Sequence, residues 1–151
     1  MRQENRTDLQ YQPESYRLYH ACLIVAAAVL LSYIVLSDHF MMENRIQNTC
    51  LILCFLMAAL HGIVLLTDSV YWLSGITYES AKNVGRHARH RCASVRFVLY
   101  TSAFVLYCLY CRCPGLIPWT GGIADSAVAG TVLCAAALLA DCAGMEQKTK
   151  L

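Results

Sequence analysis

Four long runs of apolar residues alternate with short polar segments along the chain. Each run is close to the roughly 20 residues that a helix needs to cross about 30 Å of hydrocarbon. None of them alternates polar with apolar positions, and backbone groups in lipid must be satisfied within their own segment. The runs are therefore predicted to be membrane-spanning helices, at residues 18–36, 49–67, 94–111 and 122–140.

The pattern predicts an all-α integral membrane protein with its four helices in one bundle. The transmembrane domain would cover 18–142, between an N-terminal segment (1–17) and a tail (143–151). With 58% apolar and 15% charged side chains, the 151 residues do not resemble an ordinary soluble domain. The first run is longer than the apolar part of a signal peptide, and no small-residue cleavage site follows it, so it is predicted to remain as an anchor.

Basic residues predict the orientation of the bundle. Ten of the twelve Lys and Arg residues lie before the first run, in the connection from 68 to 96, or in the tail. Only Arg45 and Arg112 belong to the other two connections. Because positively charged loops tend to remain in the cytoplasm, both termini and the middle connection are predicted to be cytoplasmic.

The middle connection is the most basic part of the chain. Next to a membrane, such a patch is expected to contact anionic lipid headgroups or cytoplasmic partners. His87 and His90 lack the Cys or carboxylate partners of a zinc site, so neither metal nor nucleic-acid binding is predicted. The residues expected to make the lipid contacts are Lys82, Arg86, Arg89 and Arg91.

Three ionisable residues stand within the runs or at their ends. His61 lies in the middle of the second run, Asp68 follows that run, and Asp125 is near the start of the fourth. Ionisable groups in membranes are candidates for function, although a hydrogen bond from His61 to a neighbouring helix would satisfy a purely structural histidine. Asp125 is expected to face the bundle or the nearby interface. The two carboxylates are assigned to opposite membrane faces, so they are not predicted to form a catalytic pair.

Small residues recur at every fourth position of the last run. This spacing places them along one helical face, which a neighbouring helix could approach closely because packing drives association in lipid. We call these residues the small-residue ridge: Gly122, Ser126, Gly130 and Cys134.

Four of the nine cysteines are predicted to be extracytoplasmic. The other five are predicted to lie within the spans or at their cytoplasmic ends, and these are Cys22, Cys54, Cys92, Cys134 and Cys142. Cys92 and Cys142, predicted to be cytoplasmic, could be palmitoylated or simply buried as small apolar residues. The extracytoplasmic group could form disulfides if that side is a lumen or the cell exterior. Its members are Cys50, Cys108, Cys111 and Cys113.

The pair Cys108 and Cys111 has the Cys-x-x-Cys spacing of a membrane thiol-disulfide enzyme, similar to vitamin K epoxide reductase. Such an enzyme also needs a second dithiol to pass on electrons. Only Cys50 remains at that level by sequence. A structural role for these cysteines is favoured, with the redox enzyme as an alternative.

Three segments resemble the transmembrane protein 107 family of the ciliary transition zone. They are "DSVYWLSGIT" (68–77), "HRCASV" (90–95) and "GGIADSAV" (121–128). Their order, the four spans and the short cytoplasmic ends also match that family. The resemblance implies that Asp68 and Asp125 are interhelical or interfacial anchors in a bundle without catalytic residues.

The function implied by this resemblance is assembly. Proteins of this family help to organise the Meckel syndrome module beside tectonic-type and other small multi-span proteins, and they support the ciliary gate. Neither a cofactor nor a small-molecule substrate is expected, and the partners would be membrane lipids and these neighbours. An accessory subunit of an organellar or endoplasmic-reticulum complex remains an alternative, as does the thiol-disulfide enzyme.

Overall fold

In a computed structural model, the described residues are 11, 14–39, 45–73, 75–112 and 123–149, and their regular structure is helical throughout. The long helices follow the apolar runs, and a short turn and a short helix occupy the middle connection. The elements are α1 (Arg17–His39), α2 (Arg45–Thr67), a 3₁₀ turn (Val70–Trp72), α3 (Tyr78–Asn83), α4 (Arg86–Arg112) and α5 (Ile123–Thr149).

Four of these helices, α1, α2, α4 and α5, are long and apolar enough to cross a membrane. The predictions of an all-α fold and of four helices able to cross a membrane are therefore confirmed. The side of the membrane that each terminus faces stays a prediction.

Helix α4 begins at Arg86, well before the start predicted at residue 94. The amides of Ala88 and Arg89 both donate to the carbonyl of Gly85, which starts the helix inside the basic stretch. Arg86, Arg89 and Arg91 are therefore helical, and their assignment to a loop is corrected. Helix α5 likewise continues to Thr149, since the residues after 140 include good helix formers such as Ala, Met, Glu and Lys.

Helices α2, α4 and α5 form the core of the bundle, and α1 packs on its outside against α2. Many of the buried core positions are alanines, for example Ala58, Ala103 and Ala136, which lie in one cluster. Small side chains let helix backbones approach closely, which is the main source of association in lipid. Helix α1 is almost entirely exposed, so most of its apolar surface must face lipid or another protein.

The long helices run antiparallel to their sequence neighbours. We call one end of the bundle the basic end, where Arg89, Arg96 and Asp141 lie close to the 3₁₀ turn. The other is the thiol end, where Tyr107 of α4 packs against Cys54 of α2 and α5 begins. Polar side chains gather at both ends.

Candidate functional site

An ion pair holds the connection between α2 and α4 at the basic end. The guanidinium of Arg89 contacts the carboxylate of Asp68 through two nitrogens, Nε and Nη2, each 3.0 Å from Oδ2. Its Nη1 also donates to the carbonyls of Ala81 and Val84. The side chain of Arg89 is 5% exposed, and a buried charge needs this many partners. Arg89 therefore fixes the connection. The prediction that it contacts lipid headgroups is wrong, because its side chain is buried.

Asp68 has a left-handed backbone, with φ of 53°. Aspartate tolerates this conformation better than most residues because its short polar side chain can form local hydrogen bonds. The turn directs the chain out of α2 and into the 3₁₀ turn, while the carboxylate reaches Arg89. The family resemblance implies that Asp68 is an interhelical or interfacial anchor, and this role stays a prediction.

The segment before α1 is tied to the same site. The hydroxyl of Tyr11 donates to the carbonyl of Asp68 at 2.8 Å, and the Arg89 guanidinium lies 4.3 Å from the centre of the Tyr11 ring. Ser15 exchanges two hydrogen bonds with the Tyr71 hydroxyl and accepts a third from the indole of Trp72. Burial, followed by the charge of Asp68, raises the pKa of Tyr11. Nothing in the sequence pattern indicated these contacts, since they join residues more than fifty positions apart.

The other three basic residues assigned to the lipid contact remain accessible. Lys82, Arg86 and Arg91 are exposed around Arg89. Their contact with lipid headgroups stays a prediction.

At the thiol end, Asp125 faces the bundle. It is 4% exposed, and one carboxylate oxygen accepts a hydrogen bond from the Tyr110 hydroxyl at 3.0 Å. Asp125 lies in the first turn of α5, where the helix dipole favours a negative charge. Asp68 belongs to the other end, so the two carboxylates do not meet.

Thiols gather close to Asp125. Cys54 and the ring of Tyr107 are fully buried together with Ala129, and Cys50 and Cys111 pack against them. Cys50, Cys108 and Cys111 carry free thiols, whereas Cys113 lies outside the described residues. Cys54 is the member that the sequence analysis placed within the span and left out of this group. Its position four residues after Cys50 could have suggested a shared helical face.

His61 is buried. Its structural interpretation assumed a hydrogen bond to a neighbouring helix, but no such bond is found among the described residues. Its Nδ1 lies 2.8 Å from the carbonyl of Met57, one turn earlier in the same helix. A carbonyl only accepts, so Nδ1 carries the proton. The neighbouring helix contributes the ring of Tyr100, which stacks on the imidazole with centroids 3.9 Å apart. The i−4 carbonyl was within reach, so no bond across the interface was required.

The small-residue ridge does not pack inside the bundle. Ser126, Gly130 and Cys134 are exposed, and a Cβ added at Gly130 would meet nothing within 4 Å. Gly122 lies outside the described residues. The face of α5 that does pack carries Asp125, Ala129, Ala136 and Ala140. Any helix that uses the ridge must therefore come from another protein or from a second copy.

Two further cysteines belong to the basic end. Cys142 is exposed at the end of the apolar part of α5, and Cys92 is half-buried in α4. Their palmitoylation stays a prediction.

The chemistry of these sites is one of ion pairs, aromatic contacts and thiols. Among the residues that the structure describes, no cluster of three or more His, Cys, Asp or Glu side chains could hold a metal ion.

Comparison with known proteins found no matching family model, no matching curated protein and no matching solved structure.

Proposed function

We propose that this protein is a non-catalytic membrane scaffold of the ciliary transition zone that helps to assemble the Meckel syndrome module. The resemblance of residues 68–77, 90–95 and 121–128 to the transmembrane protein 107 family suggests the location. The observation that carries the scaffold role is the exposed small-residue ridge, which has open space at Gly130. Helix α1, with nearly all its surface outside the bundle, supports the same role.

The proposed mechanism is lateral packing of helices from other membrane proteins. A partner helix with its own small residues could approach the backbone of α5 along Ser126, Gly130 and Cys134. The basic end would face the cytoplasm, with Lys82, Arg86 and Arg91 near lipid headgroups or soluble partners. In this proposal the chain needs no cofactor, substrate or catalytic residue, and its partners are tectonic-type and other small multi-span proteins.

The location is tested by imaging. The full chain with a fluorescent tag at its C-terminus, expressed in its own cells, is expected in a focus just distal to a basal-body marker. A reticular or mitochondrial pattern would contradict the ciliary assignment. Such a pattern would instead favour an accessory subunit of an organellar or endoplasmic-reticulum complex.

The scaffold role is tested by Gly130→Leu. The leucine fills the ridge where the structure has space, so the chain should insert and fold normally but lose partners in co-purification. Ala135→Leu is the matched control, because Ala135 is also exposed on α5 but lies off the ridge. Equal recovery of partners with both variants would show that the ridge merely faces lipid.

The thiol cluster favours a second candidate function. Cys50 and Cys54 of α2 lie in one cluster with Cys111 of α4, so thiols of two helices meet where the sequence placed only Cys50 beside the pair Cys108 and Cys111. Oxidation of two thiols to a disulfide would release two protons and two electrons to a quinone-like acceptor. Alkylation before and after reduction of cell extracts would test this candidate. Cys108 and Cys111 that remain fully reduced in all conditions would exclude it.

A further inference from the structure

A partly enclosed cavity of about 170 Å³ lies between the helices near the basic end. It is smaller than the roughly 300–1,000 Å³ of pockets that hold drug-sized ligands, so it suits a headgroup and not a whole lipid. Met57, Leu60, Val64 and Ala137 are among the apolar residues of its wall. The polar and aromatic lining comes from Tyr19, His61, Trp72, Arg96, Tyr100 and Asp141.

The two charges of the cavity differ in depth. The side chain of Arg96 is 7% exposed, whereas that of Asp141 is 56% exposed. The cation is therefore inside the protein and the anion is at the rim. His61 adds no charge in the neutral form, with Nδ1 donating to Met57.

The ion pair that joins these residues is loose. Nη2 of Arg96 and Oδ1 of Asp141 are 3.5 Å apart, longer than the about 2.7–2.9 Å of a strong charge-assisted hydrogen bond. A guanidinium has five N–H donors in a planar fork that matches a phosphate group. A ligand phosphate could thus bind Arg96 while Asp141 remains close by.

From this arrangement we propose that the cavity binds the headgroup of a zwitterionic phospholipid. The phosphate contacts Arg96, and the ammonium, which is nearer the water, contacts Asp141. Trp72 and Tyr19 belong to the residue types that concentrate at membrane interfaces, and their rings can also attract an ammonium group. The acyl chains lie outside against the exposed apolar side chains of α1, such as Leu23 and Val29.

An anionic phospholipid fits the same cavity less well. Its phosphate would also find Arg96, but Asp141 would then repel the remaining negative charge or gain no partner. The preference between the two lipid classes is therefore expected to depend on Asp141. This inference does not rest on the scaffold proposal, and either can fail without the other.

Native mass spectrometry of the full chain tests the preference. The protein is purified from micelles that contain equal amounts of phosphatidylcholine and phosphatidylglycerol with the same acyl chains, and the retained lipid is identified. The wild-type chain is expected to retain phosphatidylcholine in excess. Asp141→Asn should shift the ratio toward phosphatidylglycerol by about two- to fivefold, because an exposed carboxylate is worth that much in affinity.

Asp38→Asn is the matched control. Asp38 is also an exposed carboxylate, 76% accessible and paired with Arg45, but it is at the opposite end of α1. This variant should keep the wild-type lipid ratio. Retained lipid that follows the micelle composition, or an equal shift in both variants, would overturn the proposal. Enrichment of phosphatidylglycerol by the wild-type chain would also overturn it.

Discussion

At the scale of single residues, the carboxylates at the two ends of the bundle have different kinds of partner. Asp125 accepts a hydrogen bond from a neutral tyrosine, whereas Asp68 pairs with a buried arginine. The first contact satisfies a polar group, and the second compensates a full charge. Loss of the two contacts should therefore lower the free energy of unfolding by different amounts.

Tyr110→Phe should lower the free energy of unfolding by about 1–3 kcal/mol, because Asp125 would remain buried without this donor. Tyr33→Phe removes the same atom from a tyrosine whose buried hydroxyl has no partner among the described residues. That variant should be neutral or slightly more stable. Denaturation in mixed micelles measures both, and equal losses would contradict the role of the Tyr110 bond.

Asp68→Asn should cost more, about 2–4 kcal/mol, since Arg89 would remain buried without its counter-ion. Asparagine also tolerates the left-handed backbone of this position, so the change tests charge and not strain. At the exposed pair of Asp38 with Arg45, Asp38→Asn should cost less than about 1 kcal/mol. The same denaturation measurement applies, and similar costs at both sites would show that Arg89 gains little from Asp68.

The hydrogen bond from the Tyr11 hydroxyl to the carbonyl of Asp68 should break at high pH. The pKa of Tyr11 is raised, so the protonated tyrosine is favoured when the segment is docked. The docked position of the N-terminal segment therefore becomes less stable as the pH rises above the ordinary tyrosine pKa of about 10. Trp72 bonds to Ser15 in the same segment, so its fluorescence in a Trp119→Phe background should report the release. Tyr11→Phe should remove most of this pH dependence, and an unchanged profile would contradict it.

At the scale of elements, α2 and α4 pack tightly at Gly62. A Cβ built there would lie 3.2 Å from the ring of Phe97. Alanine needs only a small shift of that ring and also favours the helix more than glycine does. Gly130 of α5, in contrast, has no such neighbour.

Gly62→Leu should therefore destabilise the fold by about 1–3 kcal/mol through overpacking, whereas Gly62→Ala should be nearly neutral. Gly130→Leu should leave the unfolding transition of the isolated chain unchanged. Mixed-micelle denaturation separates the three variants. A large loss of stability in Gly130→Leu would mean that the ridge takes part in the fold and not in assembly.

At the scale of the whole molecule, the start of α1 and the end of the apolar part of α5 lie at the same end of the bundle. Helix α1 begins at Arg17, near the 3₁₀ turn, because Tyr19 contacts Trp72. Asp141 of α5 pairs with Arg96 at the same end. The distribution of Lys and Arg predicts that this end lies in the cytoplasm.

A chain with Cys142 as its only cysteine tests this orientation. Cys142 is exposed at the basic end, so a membrane-impermeant maleimide should label it only after the cells are permeabilised. A cysteine introduced in place of Asp38, at the thiol end, should be labelled in intact cells. The reverse pattern would show that the termini are outside the cytoplasm.

The sequence by itself determined the number and course of the membrane-spanning helices. Uninterrupted apolar runs of this length have one stable solution in lipid, and no tertiary contact is needed to specify it. It also pointed to Asp68 and Asp125, because a carboxylate in or beside such a run must find partners. Only the tertiary structure decided which partners these are. Arg89, Tyr110 and Tyr11 become neighbours through packing of segments that are distant in the chain.

The tertiary structure also decided which helix faces are internal. By sequence, α5 offers small residues on more than one face, so spacing alone favoured Gly130 over Ala129. Packing buried Ala129 and left Gly130 outside. The same holds for the cavity beside Arg96, which forms where α1, the 3₁₀ turn, α2, α4 and α5 meet. In lipid, apolar character does not distinguish a buried face from an exposed one, so only the fit between helices decides.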